Sequence, residues 1–310
     1  MTRRHKVTMR LLSAALILCL ALSGCSGVKK LAKGKKKGGS RKTTTSVMMP
    51  EASGEVTYGN GSISIDASHT NDGYIMVRYS GGADKIQVQI TNPDGTLYQY
   101  PLPIGDYQTL PLTGGDGSYK VEVLEHVSND MYSVGLSQPV DVTLTDEFRP
   151  YLFPNQYVNY TPESEAVSLG IKLSKKSADD LDFVTRVYEY VTNNITYDEA
   201  KAADISVNYI PNVDTTLAEK TGICFDYASV MSSMLRSQNV PTKLEVGYSG
   251  TAYHAWISVY LAETGWVDDI IEFNGQNWSL MDPTLAANND DAAVKDYVGD
   301  GSNYTTKYTY

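Results

Sequence analysis

Between residues 54 and 147 the chain alternates short apolar–polar runs with turn residues and sustains no helical period. Period-two alternation is clearest in Ile86-Gln87-Val88-Gln89-Ile90 and in Tyr119-Lys120-Val121-Glu122-Val123, the pattern of strands with one buried face. The pattern predicts strands over 54–58, 62–65, 74–79, 85–90, 96–100, 107–111, 118–124, 131–135 and 140–144. Asn92-Pro93-Asp94-Gly95 joins two of them with turn chemistry. Short strands at regular spacing, without helices between them, predict an antiparallel β-sandwich over residues 51–147. His69 and His126 fall in this region without neighbours at ligand spacing, so each reads as a surface or core histidine.

The period changes after residue 148. Leu181, Phe183, Val184, Val187, Tyr188 and Val191 recur at helical spacing over 178–192, with Ser177 as the expected N-cap. A connector containing Pro211 follows, over 209–214. Cys224, Tyr227, Ala228, Met231, Met234 and Leu235 then recur every three or four residues, which predicts a helix to about residue 237 with an inward stripe. Residues 253–260 alternate as a strand, with His254 and Trp256 on one face and Tyr253, Ala255, Ile257 and Val259 on the other. After a turn at Asn274-Gly275, Trp278, Leu280 and Asp282 share the face of a further strand, which Pro283 ends. Helices and strands mixed in this way predict an α+β fold behind the sandwich. Within 117–123, Gly117-Ser118-Tyr119-Lys120-Val121-Glu122-Val123 resembles a late strand of immunoglobulin-like domains.

The N-terminus sets the expected location. Arg3, Arg4, Lys6 and Arg10 precede an apolar stretch from Leu11 to Leu22, broken only by Ser13. A helix of about twelve residues is roughly 18 Å long, short of the ~30 Å hydrocarbon core, so the stretch reads as a secretory signal. Leu22-Ser23-Gly24-Cys25 resembles a bacterial lipobox, which implies a signal peptide over 1–25, lipidation of Cys25 and anchoring at the outer face of the cell membrane. The alternative is an ordinary signal peptide that happens to contain a cysteine. Residues 26–50 are rich in Gly, Ser, Lys and Arg and predict a flexible basic tether, suited to anionic headgroups or wall polymers.

Charge narrows the partners. Twelve of the 26 Lys and Arg residues lie in the first 43 positions, and no acidic residue does; the rest of the chain sets 14 basic against 36 acidic residues, a balance of −22. A body of that charge repels phosphate backbones, so nucleic acid is excluded as a partner. Of the three cysteines, Cys19 lies in the signal and Cys25 in the lipobox, which leaves Cys224 alone. A single thiol cannot form an internal disulfide, and it is either a buried core residue or a nucleophile. At a helix N-terminus, free N–H groups and partial positive charge favour thiolate. A thiolate needs a base, for which His254 is the candidate, and the base needs an orienting acceptor, for which Asp282 is the candidate. Each residue taken alone also has a structural reading. The tryptophans Trp256, Trp266 and Trp278 lie between the two, as an aromatic wall or as core packing.

Gly222-Ile223-Cys224-Phe225-Asp226-Tyr227-Ala228, Met234-Leu235-Arg236, Val240-Pro241, His254-Ala255-Trp256 and Met281-Asp282-Pro283-Thr284, in that order, resemble the core of the transglutaminase-like superfamily. The resemblance runs from about Ser177 to Leu285 and implies a papain-like α+β domain over 148–310. It implies thiol acyl transfer with the catalytic residues Cys224, His254 and Asp282, and a second oxyanion donor upstream of the cysteine, for which Tyr209 is the candidate. Trp256 and Trp278 become candidate substrate contacts. No cofactor and no metal site are expected. The resemblance implies the reaction class and not its outcome; abundant water favours hydrolysis of peptide amide bonds through an acyl-thioester over amine transfer, on an extracellular protein or cell-wall peptide. Protein cross-linking, or an inactive module that binds wall or protein, are the alternatives.

Overall fold

The computed structural model describes residues 39–206, 208–267 and 304–310, with the backbone of 271–273 and 278–280. The N-terminal strands are β1 (Thr57–Gly59), β2 (Ile63–Asp66), β3 (Tyr74–Tyr79), β4 (Ile86–Thr91), β5 (Leu97–Leu102), β6 (Gln108–Pro111), β7 (Gly117–Ser128) and β8 (Met131–Val142). They form two four-stranded sheets, in the orders β1-β2-β3-β6 and β5-β4-β7-β8, with antiparallel pairing throughout. Alternation sets the buried faces: Ile63 and Ile65, Val77 and Tyr79, Val88 and Ile90, and Tyr119, Val121 and Val123 are buried in one core. The break expected after residue 135 is absent, and β8 runs on through Pro139. It can do so because β8 is an edge strand, where a missing N–H costs no ladder bond. Both histidines serve local structure. His69 stacks on Tyr74, and His126 bonds Asp84 Oδ1 and the Asn129 carbonyl at 2.7 Å each.

The second half comprises α1 (Glu165–Ser174), α2 (Asp180–Asn194), β9 (Thr196–Tyr197), α3 (Glu199–Ala203), α4 (Val213–Glu219), β10 (Thr221–Gly222), α5 (Cys224–Arg236), β11 (Thr242–Ser249), β12 (Ala252–Leu261), β13 (Gly265–Val267), β14 (Ile271–Phe273), β15 (Trp278–Leu280) and β16 (Tyr304–Thr309). Asp179, not Ser177, caps α2: its carboxylate accepts the Asp182 N–H at 2.8 Å, while the Ser177 hydroxyl donates back to the Leu173 carbonyl. A four-stranded sheet of order β13-β12-β11-β16 backs α5, and β14 pairs with β15. Leu244, Val246, Ala255, Ile257 and Val259 share a buried core with Tyr227, Ala228, Met231, Met234 and Leu235 of α5. Among the described residues, no helix is long and apolar enough to cross a membrane.

Arg236 closes α5, and among the described residues it has no carboxylate partner. It is 1 % exposed, and its guanidinium donates to the carbonyls of Thr242 (2.9 and 2.7 Å), Phe153 (2.8 Å) and Tyr310 (2.6 Å). Burial pulls its pKa down to about 10, which still leaves it charged at neutral pH. One side chain thus ties the linker before α1, the start of β11 and the residue after β16.

The basic segment after residue 26 is not a free tether along its whole predicted length. The Gly39 and Arg41 amides both donate to the Ser177 carbonyl, and Ser40 Oγ donates to the Ala178 carbonyl. Arg41 lies over the Phe183 ring and bonds Asp180 Oδ1 at 2.6 Å, Ser174 Oγ at 2.7 Å and the Gln238 carbonyl at 2.8 Å. This arginine finds acceptors at the ends of three helices, so the chain is docked from Gly39 onward.

Candidate active site

Cys224 is the first residue of α5 and is half-buried. The chain enters the helix tightly, because a Cβ on Gly222 would stand 2.7 Å from the Asp226 Cβ. Asp226 is fully buried and fixes the helix start: one carboxylate oxygen accepts the Ile223 N–H at 2.9 Å and Lys201 Nζ at 2.7 Å, and the other accepts the Tyr209 hydroxyl. Lys201 Nζ also lies 4.6 Å from the Tyr209 ring centre. Burial is the largest influence on the Lys201 ammonium and lowers its pKa, but the bonds to Asp226 and Tyr209 more than offset it, and the net shift is upward. Tyr209 is pushed up to about 12, by burial first and by Asp226 second. Its hydroxyl proton is therefore committed to Asp226, and Tyr209 could donate to an oxyanion only by releasing that carboxylate.

Removing this anchor gives a direct test. Asp226→Ala strips the Ile223 amide and Tyr209 of their acceptor and is expected to cost about 1–3 kcal/mol in urea unfolding. Asp226→Asn, which keeps an acceptor oxygen, should cost less. Equal stability of wild type and Asp226→Ala would show that the helix start does not depend on this carboxylate.

A cavity of about 660 Å³ opens beside the start of α5, and Cys224, His254, Tyr209 and Tyr253 all line it. His254 pairs with Gly247 near the start of β12 and is half-buried. Its strand phase is as expected: Ala255, Ile257 and Val259 face α5, while His254 and Trp256 lie on the other face, their rings 6.4 Å apart. Imidazole and thiol thus line one and the same cavity. Tyr253 is the strand residue on the α5 side, with its pKa raised by partial burial first and then by the neighbouring Tyr308, Tyr248 and Cys224 groups.

The remaining expected site residues fall differently. Trp256 is 1 % exposed and packs edge-on against Tyr304, so it is a packing residue and does not line the cavity. Asp282, Cys25 and the side chain of Trp278 lie outside the described residues. Sequence reasoning missed Asp226, Lys201 and Tyr253. Only Asp226 gave a signal, as an acidic residue in the first turn after the cysteine.

Residues 168–268 match the family model of the transglutaminase-like superfamily. This stretch is a transglutaminase-like core. The match spans both Cys224 and His254 and ends before Asp282. The uncharacterized protein YebA of Bacillus subtilis is 29 % identical over 165 residues, which cover 44 % of this chain and 22 % of that protein. UPF0252 protein MJ1282 of Methanocaldococcus jannaschii is 32 % identical over 114 residues, 33 % of this chain and 32 % of that protein. The chain therefore spans a third or less of either relative. Among solved structures, the periplasmic domain of TgpA from Pseudomonas aeruginosa aligns over 78 % of this chain and 98 % of that one, at 15 % identity and a TM-score of 0.33. Red sea bream transglutaminase aligns over 68 % of this chain and 48 % of that one, at 13 % identity and a TM-score of 0.30. A transglutaminase-like core has a papain-like fold of mixed helices and sheets and is typically cysteine-dependent.

Proposed function

We propose that the chain is an extracytoplasmic thiol enzyme that cleaves peptide amide bonds through an acyl-thioester, with Cys224 as nucleophile, His254 as base and Asp282 as the group that orients the imidazole. The observation that carries this reading is the cavity shared by Cys224, at the first position of a helix, and His254. The thiol proton passes to His254 as sulfur attacks the carbonyl carbon, and His254 returns it to the departing amine. Water, activated by the same imidazole, then attacks the thioester and releases the acid and the thiol. The Cys224 N–H is one of the unpaired amides of the first helical turn and is available to the oxyanion. Hydrolysis is favoured over amine transfer, because water near 55 M competes with any amine unless the site excludes it.

The N-terminal sheets support an immunoglobulin-like reading of the first domain. β6 pairs back to β3 while β7 joins β4, the sheet-switching order of such sandwiches. In the same proposal Cys25 carries lipid and holds the enzyme at the outer face of a bacterial membrane, with an extracellular protein or cell-wall peptide as substrate. Cys25→Ser should release the protein into the soluble fraction and remove an acyl mass from the N-terminal peptide; unchanged retention without that mass would dispose of the anchor.

The enzyme reading is tested by incubating the full chain with extracellular peptides and reading intact mass. An acyl adduct on wild type, absent from Cys224→Ala, supports it. A labelled primary amine included in the reaction reports transfer against hydrolysis. If no peptide gives an adduct, the inactive binding module takes its place.

A further inference from the structure

The cavity beside Cys224 is not built from the transglutaminase-like core alone. Gln87 of β4 and Gln99 and Pro101 of β5 line it too, from the outer face of the β5-β4-β7-β8 sheet. Gln87 lies directly opposite Pro101 in the β4–β5 ladder, and Gln99 lies two residues before Pro101. The two amides are therefore diagonal neighbours on one face, within reach of a common ligand. Among the described residues neither amide makes a hydrogen bond. Each primary amide offers two donors and an acceptor, the complement of a peptide group.

This face is fixed relative to Cys224. The Thr309 amide donates to the Tyr98 hydroxyl at 3.1 Å, Thr113 Oγ1 donates to the Thr309 carbonyl at 2.8 Å, and Gln156 Nε2 donates to the Pro101 carbonyl at 2.6 Å. The Tyr98 and Tyr100 rings pack edge-on against Tyr310 at 5.6 and 6.0 Å. β16, whose Thr309 makes the first two of these bonds, also carries Lys307 to the same cavity, its ammonium 5.1 Å from the Tyr308 ring centre. Among the described lining residues there is no aspartate or glutamate, and Lys307 is the one lysine or arginine. In a body with a balance of −22 beyond residue 43, that is a local reversal of sign.

We propose that the β-sandwich forms the substrate-reading side of the site: Gln87 and Gln99 bind backbone amides of an extended peptide, and Lys307 binds a carboxylate on that peptide. The assignment rests on the thiol-enzyme reading above and adds a substrate class to it, an acidic peptide. It also gives the sandwich a task in recognition, because the rigid contacts through β16 hold its amides at a set distance from the nucleophile.

Two pools of N-acetylated pentapeptide amides, identical except for glutamate or lysine at the central position, serve as probes. Binding is read by affinity-selection mass spectrometry on full-chain Cys224→Ala, and turnover on full chain with Cys224 intact. The glutamate pool should be retained about tenfold over the lysine pool, and Lys307→Glu should reverse the order. The pair Gln87→Ala and Gln99→Ala should weaken retention of both pools about tenfold and raise KM by a similar factor. Neither kcat nor the rate at which iodoacetamide modifies Cys224 should change with it. Gln99→Glu, which keeps the shape of the surface, should repel the glutamate pool selectively. Retention that ignores the central charge and survives loss of both glutamines, or the absence of any retention, overturns the proposal. Pools that bind but are never turned over defeat the enzyme reading and leave the recognition face standing. Turnover that is equal with and without the glutamines does the reverse.

Discussion

Cys224→Ala is expected to lower acyl-adduct formation and peptide turnover by at least about 10⁴-fold, the scale on which removal of a covalent nucleophile acts. The fold should hardly register the change. Cys224 is half-buried at the first helical position, and the bonds that fix this helix start come from Asp226. A thermal midpoint within a few degrees of wild type is therefore expected, and circular dichroism on the same sample checks it. His254→Ala should lose about 10²–10⁴-fold, the usual contribution of a positioned base. Asp282→Asn should lose less than Cys224→Ala, since that group orients the base and does not bond substrate. Rates for Cys224→Ala within tenfold of wild type would place the chemistry elsewhere in the cavity.

Arg236→Leu is expected to be the most damaging substitution for stability, at about 3–5 kcal/mol, the cost of breaking a buried charged network from one side. Four donated hydrogen bonds to three carbonyls disappear together. A buried acceptor left unsatisfied costs about 1–3 kcal/mol, while relief of the guanidinium's own desolvation returns part of the total. Total domain stabilities run to about 5–15 kcal/mol, so a loss of this size takes a large fraction of the fold. Arg236→Lys should fall between, since an ammonium is a point donor that cannot fork towards three carbonyls. Urea midpoints measured at pH 7 decide the matter, and a loss under about 1 kcal/mol for Arg236→Leu would remove Arg236 from this organising role.

What the sequence disclosed was what depends on neighbours a few residues apart. The stripe from Cys224 to Leu235 announced α5, and the alternation around Val88 and Val121 announced β4 and β7, because period alone decides which face is buried. What stayed hidden depends on partners far along the chain. Asp226 looked like an ordinary first-turn acid until Lys201 and Tyr209 met it, 25 and 17 residues upstream. Residues 304–309 alternate too, but only pairing with β11 makes them a strand. Gln87 and Gln99 had the appearance of outward strand positions, which they are, and nothing local tells that this outward face looks onto a cavity. Trp256 erred the other way: its motif suggested a contact surface, and alternation could not say that Tyr304 would cover it. The N-terminal strands and turns were legible, whereas the place of Gln87, Gln99 and Pro101 at the cavity was not.

The docking of Arg41 has a mechanical side. A pull on the chain ahead of Gly39 does not first reach the strands of the sandwich. It arrives at the Ser177 carbonyl and at Asp180, Ser174 and Gln238, where three helix ends meet. Several bonds there share the load, so a force applied at Gly39 is borne at this clasp before it reaches β1, β4 or β5. If the proposed lipid on Cys25 holds the chain to a membrane, the spacing between the glutamine face and Cys224 is expected to stay unchanged until the clasp gives way.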